Sequence, residues 1–433
     1  MKKINVGLIG FGTVGSGVVK VLREKKGFLS EKIGLEINIK KICDKDISTK
    51  RKGVSVDKGL LTNDVKGIIN DPGIDIVVEL IGGIHPAKEL IIEALNKGKN
   101  VVTANKALLS QEGKELFALA SERGKNIYFE TSVGAGIPII KAMREGLVAN
   151  KFSRVFGIVN GTSNYVLSEM SNNNCSFAEA LRQAKLNGFA EKDPTLDIEG
   201  IDSAHKLILL TYLSFGKFIS IKDIFIEGIS RISVSDINYA RELGFAIKLL
   251  AIAKKQNQEL EARVHPTLIP EDHLLASVDG VFNAIYVTAD LAGELLFYGP
   301  GAGQSSAVSS VVSDLVDLTQ DIKAGLFRPT LKIIEDKSIK RLRSINDVES
   351  RYYIRIMTED KPGVLARISG VLAKYGISIA SVNQKEKRKS GQVVPIVMVI
   401  HEAREKDLRQ ALEIIDRFSI IKEKSVAIRI EEV

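Results

Sequence analysis

Short apolar runs alternate with helix-period segments through the first third of the chain. Residues 4–9 read as a buried strand, and VVKVLREKKG as the amphipathic helix behind it. INIKKICD, DIVVELIGG and NVVT repeat the strand signature, and PAKELIIEALNKG lies between the last two as a helix closed by Gly98. This alternation with short connections predicts an α/β, Rossmann-type doubly wound parallel sheet over residues 1–150. The middle of the chain reads differently. FIEGI, LEARVHPTLI and NAIYVTADLAGELLFYG look like strands of a mixed sheet, with a helix over 236–254, so residues 151–303 predict an α+β domain. GPGAGQ then opens a long apolar helix, about 304–321, expected to return to the first domain. Residues 322–350 are charged and aperiodic and read as a linker. From 351 to 433 the order is strand, helix, strand, strand, helix, strand, which predicts a ferredoxin-like βαββαβ unit.

A length of 433 residues suits two or three domains. The net charge of +8 invites an acidic partner, but the basic residues lie in separate stretches without interleaved aromatics, so nucleic acid is not expected. The two cysteines, Cys43 and Cys175, exclude a disulfide scaffold. No apolar run approaches the roughly 20 residues of a membrane span, and the opening residues enter a strand instead of a leader. The expectation is a cytoplasmic protein without a membrane partner.

Gly10-Phe11-Gly12-Thr13-Val14-Gly15 sits between the first strand and the first helix, the setting that gives G-x-G-x-x-G its meaning. Gly10 permits the turn, Gly12 lets a pyrophosphate approach the backbone, Gly15 lets helix and strand close up, and the helix N-terminus offers free N–H groups. Asp44 ends the second strand, where a carboxylate bonds the ribose of NAD. Lys45, Arg51 and Lys52 follow, where cations suit the 2′-phosphate of NADP. Both coenzymes stay open. Ligands in such sheets lie beyond the carboxyl ends of the strands, which brings in Gly82, Gly83, Thr103 and Lys106. A surface lysine is an equal reading of Lys106 on position alone. Glu130, followed by Gly134, Gly136 and Pro138, reads as a strand-to-helix turn. Asn160-Gly161 is a turn after a strand, with Thr162 and Ser163 as helix N-cap candidates.

The densest chemistry lies in residues 187–206, NGFAEKDPTLDIEGIDSAHK. Pro194 and Gly200 keep its acidic half out of a long helix. Asp202 and Lys206, spaced i and i+4, share a face if a helix starts near Gly200. His205 points about 100° away. A solvated acidic loop with an ordinary surface ion pair is the plain reading. However, the spacing A-x-x-D-P-x-x-D-x-x-G-x-D-x-x-x-K, from Ala190 to Lys206, resembles the homoserine dehydrogenase family, and the likeness runs through the whole chain in family order.

That resemblance implies the reversible NAD(P)-dependent reduction of L-aspartate 4-semialdehyde to L-homoserine, serving threonine, methionine and isoleucine synthesis. It implies proton transfer by Lys206, with Lys106 as second candidate, and Asp202 or Asp197 bonding the hydroxyl or orienting the lysine. Glu191 would take the substrate's α-ammonium. Asn160, Gly161 and Thr162 would line the pocket floor, although capping competes for Thr162, and Gly301 and Gly303 would adjoin the nicotinamide ribose. A sodium ion would lie at Glu130, Val133, Ala135 and Ile137, mostly on carbonyls. A homodimer or homotetramer is implied. The tail's EDKPGVL loop resembles ACT domains, which implies threonine as effector, with a purely structural role as the alternative. Removing the tail should then spare catalysis and abolish the effector response. A non-catalytic nucleotide- and amino-acid-sensing regulator on the same fold is the competing function. An acylating aldehyde dehydrogenase is excluded, because neither cysteine is placed as a nucleophile.

Overall fold

A computed structural model describes residues 3–327, 335–384 and 393–432. The chain forms two compact units. Unit 1 comprises Met1–Phe152, His205–Lys222 and Asn283–Asp336; unit 2 comprises Ser153–Ala204, Asp223–Phe282 and Lys337–Val433.

In unit 1 the strands β1 (Lys3–Ile9), β2 (Glu36–Cys43), β3 (Leu61–Thr62), β4 (Ile76–Glu79), β5 (Asn100–Thr103) and β6 (Ile127–Tyr128) form one parallel sheet, in the order β3-β2-β1-β4-β5-β6. This is the doubly wound order of dinucleotide-binding sheets, with its switch point between β1 and β4. Every residue of β4 and β5 is buried, as expected when helices cover both faces of a parallel sheet. Val6, Leu8, Val18, Leu22, Val78 and Leu315 share one core. Leu315 comes from the returning helix, Gln304–Ala324, which packs tightly on the first helix, Thr13–Glu24. At Gly17 an added Cβ would lie 2.6 Å from Val308 Cγ2, so only glycine allows that approach.

Unit 2 is built on β7 (Phe152–Ile158), β8 (Phe225–Ile226), β9 (Phe245–Gln256) and β10 (Glu259–Pro270). β9 and β10 pair antiparallel over their full length, and Asn257 takes φ 56° in the two-residue turn between them. The helix expected over 236–254 is corrected here: a helix runs Val234–Glu242 and stops before Gly244 (φ 80°), and Phe245–Gln256 is strand. Both faces of β9 are buried through its centre, so its apolar residues do not alternate and their run alone cannot distinguish strand from helix. Pairing with β10 decides the matter.

The chain next contributes the hairpin β11 (Phe282–Ala289) and β12 (Gly293–Pro300) and the returning helix to unit 1. Back in unit 2, β13 (Arg341–Leu342) pairs parallel with β10, and Ile339 and Val348 are buried, so the stretch read as linker carries ordered, packed residues. Residues 328–334 of that stretch, and the basic residues 385–389, lie outside the described chain.

The tail follows as β14 (Glu349–Glu359), a helix Val364–Lys374, β15 (Ile379–Asn383), β16 (Val393–Arg404), a helix Glu405–Ile415 and β17 (Val426–Ile430). Its strand order β17-β14-β16-β15 is ferredoxin-like, and Tyr352, Ile354, Ile368, Leu372, Met398 and Leu408 fill its core. The sheet does not end at β17. Thr267 and Leu268 of β10 pair parallel with Arg429 and Ile430, so the tail's sheet continues into that of β9 and β10.

Buried charges hold this seam. Arg263 pairs with Glu261 and Glu431, and Lys254 also reaches Glu431. Arg429 forks onto Glu405 at 2.8 and 2.5 Å and reaches Glu227 at 3.0 Å. Arg355 and Tyr353 of β14 both bond Asp236, which is fully buried. Each of these charges needs its partner, because an unpaired buried ion costs several kcal/mol, on the order of 3–5 when one partner is removed.

Candidate active site

The glycine motif follows directly from β1. Gly10 holds φ 102°, a left-handed value that favours glycine, and its N–H bonds Cys43 O. At Gly15 an added Cβ would come within 2.0 Å of Gly10 O, so any side chain there would break the turn. Gly12 has no atom within 4 Å of the place where a Cβ would stand. It caps the Thr13–Glu24 helix without a side-chain acceptor, which leaves the first-turn N–H groups of Thr13 and Val14 to a ligand. An open, uncapped helix N-terminus bordered by glycines fits a pyrophosphate.

Asp44 and Arg51 lie together beside this turn. Phe11 N–H donates to Asp44 Oδ2 at 2.5 Å, Arg51 Nε donates to Phe11 O at 2.8 Å, and Arg51 stands 3.7 Å from Asp44. The guanidinium also covers the Phe11 ring at 5.6 Å. The carboxylate and the cation that argue for different coenzymes are therefore neighbours.

Further along the strand ends, a residue absent from the sequence argument organises two loops. Glu79 ends β4 and is fully buried; it accepts from Ile81 N and Gly82 N, and from Thr103 Oγ1 at 2.6 Å. Its signal was a carboxylate closing an apolar strand just before two glycines. Asn105 caps the next helix, Lys106–Glu122, through Leu108 N, and also donates to Gly83 O. This fixes Lys106 in the first helical turn, half buried. From the far end of the sequence, Gln304 donates to Thr13 O at 2.6 Å, so the returning helix begins beside the glycine turn, just after Gly303 (φ 105°). Gly301 fits where a Cβ would overlap the Asn283 side chain.

Glu130 lies in the turn after β6, 5% exposed. Its carboxylate accepts from Ile140 N and Lys141 N, and its own N–H donates to Asp314. Burial pushes Glu130 up to about 7 despite those bonds, and pushes Asp314 well above the usual carboxylate range. Ala135 has φ 42°, a conformation that costs an alanine on the order of 1–3 kcal/mol, and its carbonyl accepts from Ser310. No group of three His, Cys, Asp or Glu side chains able to hold a metal occurs among the described residues.

In unit 2 the acidic stretch folds around one amide. Asn160, not Thr162 or Ser163, caps the helix Gly161–Asn173, accepting from Ser163 N at 2.9 Å. Its Nδ2 donates to Asp197 at 2.7 Å and to Asp202 at 2.9 Å, which draws the two carboxylates together. Thr162 instead donates to Phe189 O. Gly161 leaves no room for a Cβ, which would meet Val281 O at 2.8 Å. Glu191 is exposed and joins no ion pair among the described residues. The helix Ile201–Phe215 begins after Gly200 (φ 81°), with Asp202 in its first turn. Asp202 and Lys206 are both 7% exposed; the first belongs to unit 2 and the second to unit 1. In unit 1, Tyr212 of the same helix stacks on Phe117 at 5.8 Å.

A doubly wound sheet with this glycine turn, a second unit carrying paired carboxylates, and a ferredoxin-like tail define a nicotinamide-dependent oxidoreductase with an ACT domain. Family models agree segment by segment: the NAD-binding domain of homoserine dehydrogenase matches residues 10–130, the homoserine dehydrogenase domain 138–316 and the ACT domain 352–419. The chain is 41% identical to homoserine dehydrogenase of Pseudomonas aeruginosa, with all of both chains covered. It superposes on the crystal structure of a homoserine dehydrogenase from Thiobacillus denitrificans with TM-score 0.90 at 43% identity, covering 100% of this chain and 99% of that one. A hyperthermophilic archaeal homoserine dehydrogenase in complex with NADPH is also similar, with TM-score 0.62 and 27% identity over 75% of this chain and 100% of that one. The chain belongs to the homoserine dehydrogenase family.

Proposed function

We propose that the chain interconverts L-aspartate 4-semialdehyde and L-homoserine, with Lys206 moving the proton at the substrate oxygen and Lys106 as the alternative shuttle. The observation that carries this reading is the Asn160 clamp on Asp197 and Asp202. Two carboxylates drawn to one amide offer fixed acceptors for a substrate hydroxyl or ammonium, and Asp202 stands one helical turn before Lys206. Asp197 and Asp202 bond the substrate hydroxyl, while Gly161 and Thr162 border them and Glu191 takes the ammonium. The coenzyme supplies the hydride; the protein's share is to position the substrate and to stabilise the developing alkoxide.

Gly10 to Gly15 hold the pyrophosphate, with Thr103 and Gly303 at the nicotinamide end. Arg51 suits a 2′-phosphate and Asp44 a ribose hydroxyl, so both coenzymes are accepted. The NADPH held by the archaeal relative supports the phosphorylated form. The turn with Glu130, Val133, Ala135 and Ile137 suits a weakly held monovalent cation such as sodium better than a divalent one, since Glu130 alone of these four carries a carboxylate side chain. The ACT domain takes a small-molecule effector, threonine in our reading, at the loop before the Val364–Lys374 helix. The enzyme works as a homodimer or homotetramer in the cytoplasm; no helix among the described residues is long and apolar enough to cross a membrane.

Nicotinamide absorbance during incubation with aspartate semialdehyde tests the activity. A flat trace from folded, coenzyme-binding protein would favour a non-catalytic sensor. Lys206→Ala should lower kcat by orders of magnitude with little change in coenzyme affinity, and near wild-type turnover would remove Lys206 from the mechanism.

A further inference from the structure

Within unit 2, the start of one helix reaches both the aspartate clamp and the segment that carries Glu191. Asn160 caps the helix Gly161–Asn173 and draws in Asp197 and Asp202. Thr162 and Tyr165 follow at a spacing of three, so they share a face of that helix, and both are buried. Thr162 Oγ1 donates to Phe189 O at 2.7 Å. The Tyr165 hydroxyl accepts from Asn187 Nδ2 at 3.0 Å, and its ring meets that of Phe189 at 4.9 Å between centroids, tilted by 57°.

Residues 187–192 form neither helix nor strand, yet they are pinned from two sides. They leave the helix Phe177–Leu186 through Gly188 (φ 74°), and the N–H groups of Phe189 and Ala190 both bond Ala184 O, at 2.8 and 3.1 Å. Lys185 Nζ donates to Lys192 O at 3.1 Å. Ala190 and Lys192, the neighbours of Glu191, are therefore tied to one helix, while Asn187 and Phe189 are tied to the other.

Burial of apolar surface does not account for the aromatic contact. Phe189 stays 42% exposed and Asn187 is exposed, so the pair hides little surface, and water could replace the bond to the Tyr165 hydroxyl. What the contact supplies is position. The carbonyl, the ring and the preceding side chain of this segment all meet the helix whose cap holds Asp197 and Asp202. A segment released at Phe189 would let Glu191 sample many placements, and the entropy lost on fixing one of them would oppose capture of a substrate ammonium.

We propose that Tyr165 is a positioning residue for Glu191. Its hydroxyl and ring hold Asn187 and Phe189, and so fix where the Glu191 carboxylate stands relative to the acceptors gathered by Asn160. The assignment rests on the reading that Glu191 takes the substrate's α-ammonium. Homoserine oxidation by Tyr165→Phe, Asn187→Ala and Glu191→Gln, singly and combined, tests it. Tyr165→Phe and Asn187→Ala remove the same hydrogen bond from its two ends. Each should raise the KM for homoserine about three- to fivefold, with kcat and the coenzyme KM within about twofold of wild type and thermal unfolding unchanged. Together they should do no more than either alone, and neither should add to the higher KM of Glu191→Gln. A raised KM in Glu191→Gln beside wild-type values in the other two would overturn the role of Tyr165 and leave that of Glu191 standing. An effect of Tyr165→Phe that persists in full on the Glu191→Gln background would also overturn it, because Tyr165 would then act through another group. A wild-type KM in Glu191→Gln would remove the reading of Glu191 and the inference with it.

Discussion

Glu130 and Asp314 in unit 1 are as deeply buried as Glu405 and Glu431 in unit 2, yet burial has opposite outcomes in the two places. Around Glu130 the desolvation penalty dominates: two backbone N–H bonds and the more distant Arg144 and Lys141 offset only part of it, and the pair leans toward the protonated form. At the seam the same penalty acts on Glu405 and Glu431, but Arg429 and Arg263 outweigh it and hold both below the usual carboxylate range. What decides the charge of a buried carboxylate is whether a guanidinium is buried with it. Unit 1 keeps a carboxylate pair that a proton can complete. Unit 2 has completed its own, and in doing so ties the ACT domain to β10.

The most drastic way to break that contrast is to delete the chain from Ser350 onward. The sequence alone suggests a detachable tail. The structure argues otherwise, since the deletion strips β10 of β17 and leaves Arg263 without Glu431 and Asp236 without Arg355 and Tyr353. The truncated protein should be insoluble or unfolded instead of active and merely desensitised. A soluble, active fragment would show that the seam is dispensable. Arg429→Ala is the point version. It leaves Glu405 and Glu227 facing each other's side of an empty site and should cost about 3–5 kcal/mol in denaturant unfolding.

These two predictions rest on features the sequence hardly shows. Arg429 meets Glu405 across 24 positions and Glu227 across 202, and nothing in the local pattern of either partner marks it for burial. The nucleotide end of unit 1 was legible because its requirements are local: a strand, glycines at fixed offsets and a helix start can be read from neighbouring residues. Asn160 was legible as a turn residue after a strand but not in its hold on two acids, because they lie 37 and 42 positions on. Phe245–Gln256 failed for a different reason: a strand buried on both faces loses the alternation that would identify it.

Acid and base should then act on opposite ends of the comparison. For Glu405 and Glu431 the folded pKa lies below the unfolded one, so their stabilisation is complete above about 4.5 and is lost as pH falls. For Glu130 the folded value, about 7, lies above the unfolded 4.5, so stability is lost as pH rises between them. In sodium-free buffer this loss should reach about 3 kcal/mol, at roughly 1.4 kcal/mol per unit. Glu130→Gln should flatten the slope between pH 5 and about 7, and sodium should flatten it in the wild type if the cation occupies this turn. An unchanged slope in the variant would mean that Glu130 is not the group that titrates.

The smallest expected effect lies at a third carboxylate–guanidinium pair, which stands between the two extremes. Asp44 and Arg51 keep 19% and 17% of their side-chain surface exposed and approach only to 3.7 Å, so their attraction is screened and adds little to stability. Arg51→Ala should therefore shift unfolding by well under about 1 kcal/mol. Its effect belongs to ligand choice. If Arg51 holds the 2′-phosphate, NADPH affinity should drop on the order of tenfold, about 1.4 kcal/mol, while NADH, which carries no 2′-phosphate, should change less than about twofold. Paired NADPH and NADH titrations of the variant read the difference directly. Equal losses for both coenzymes would place Arg51 in the structure of the turn, through its bond to Phe11 O, and not in the recognition of phosphate.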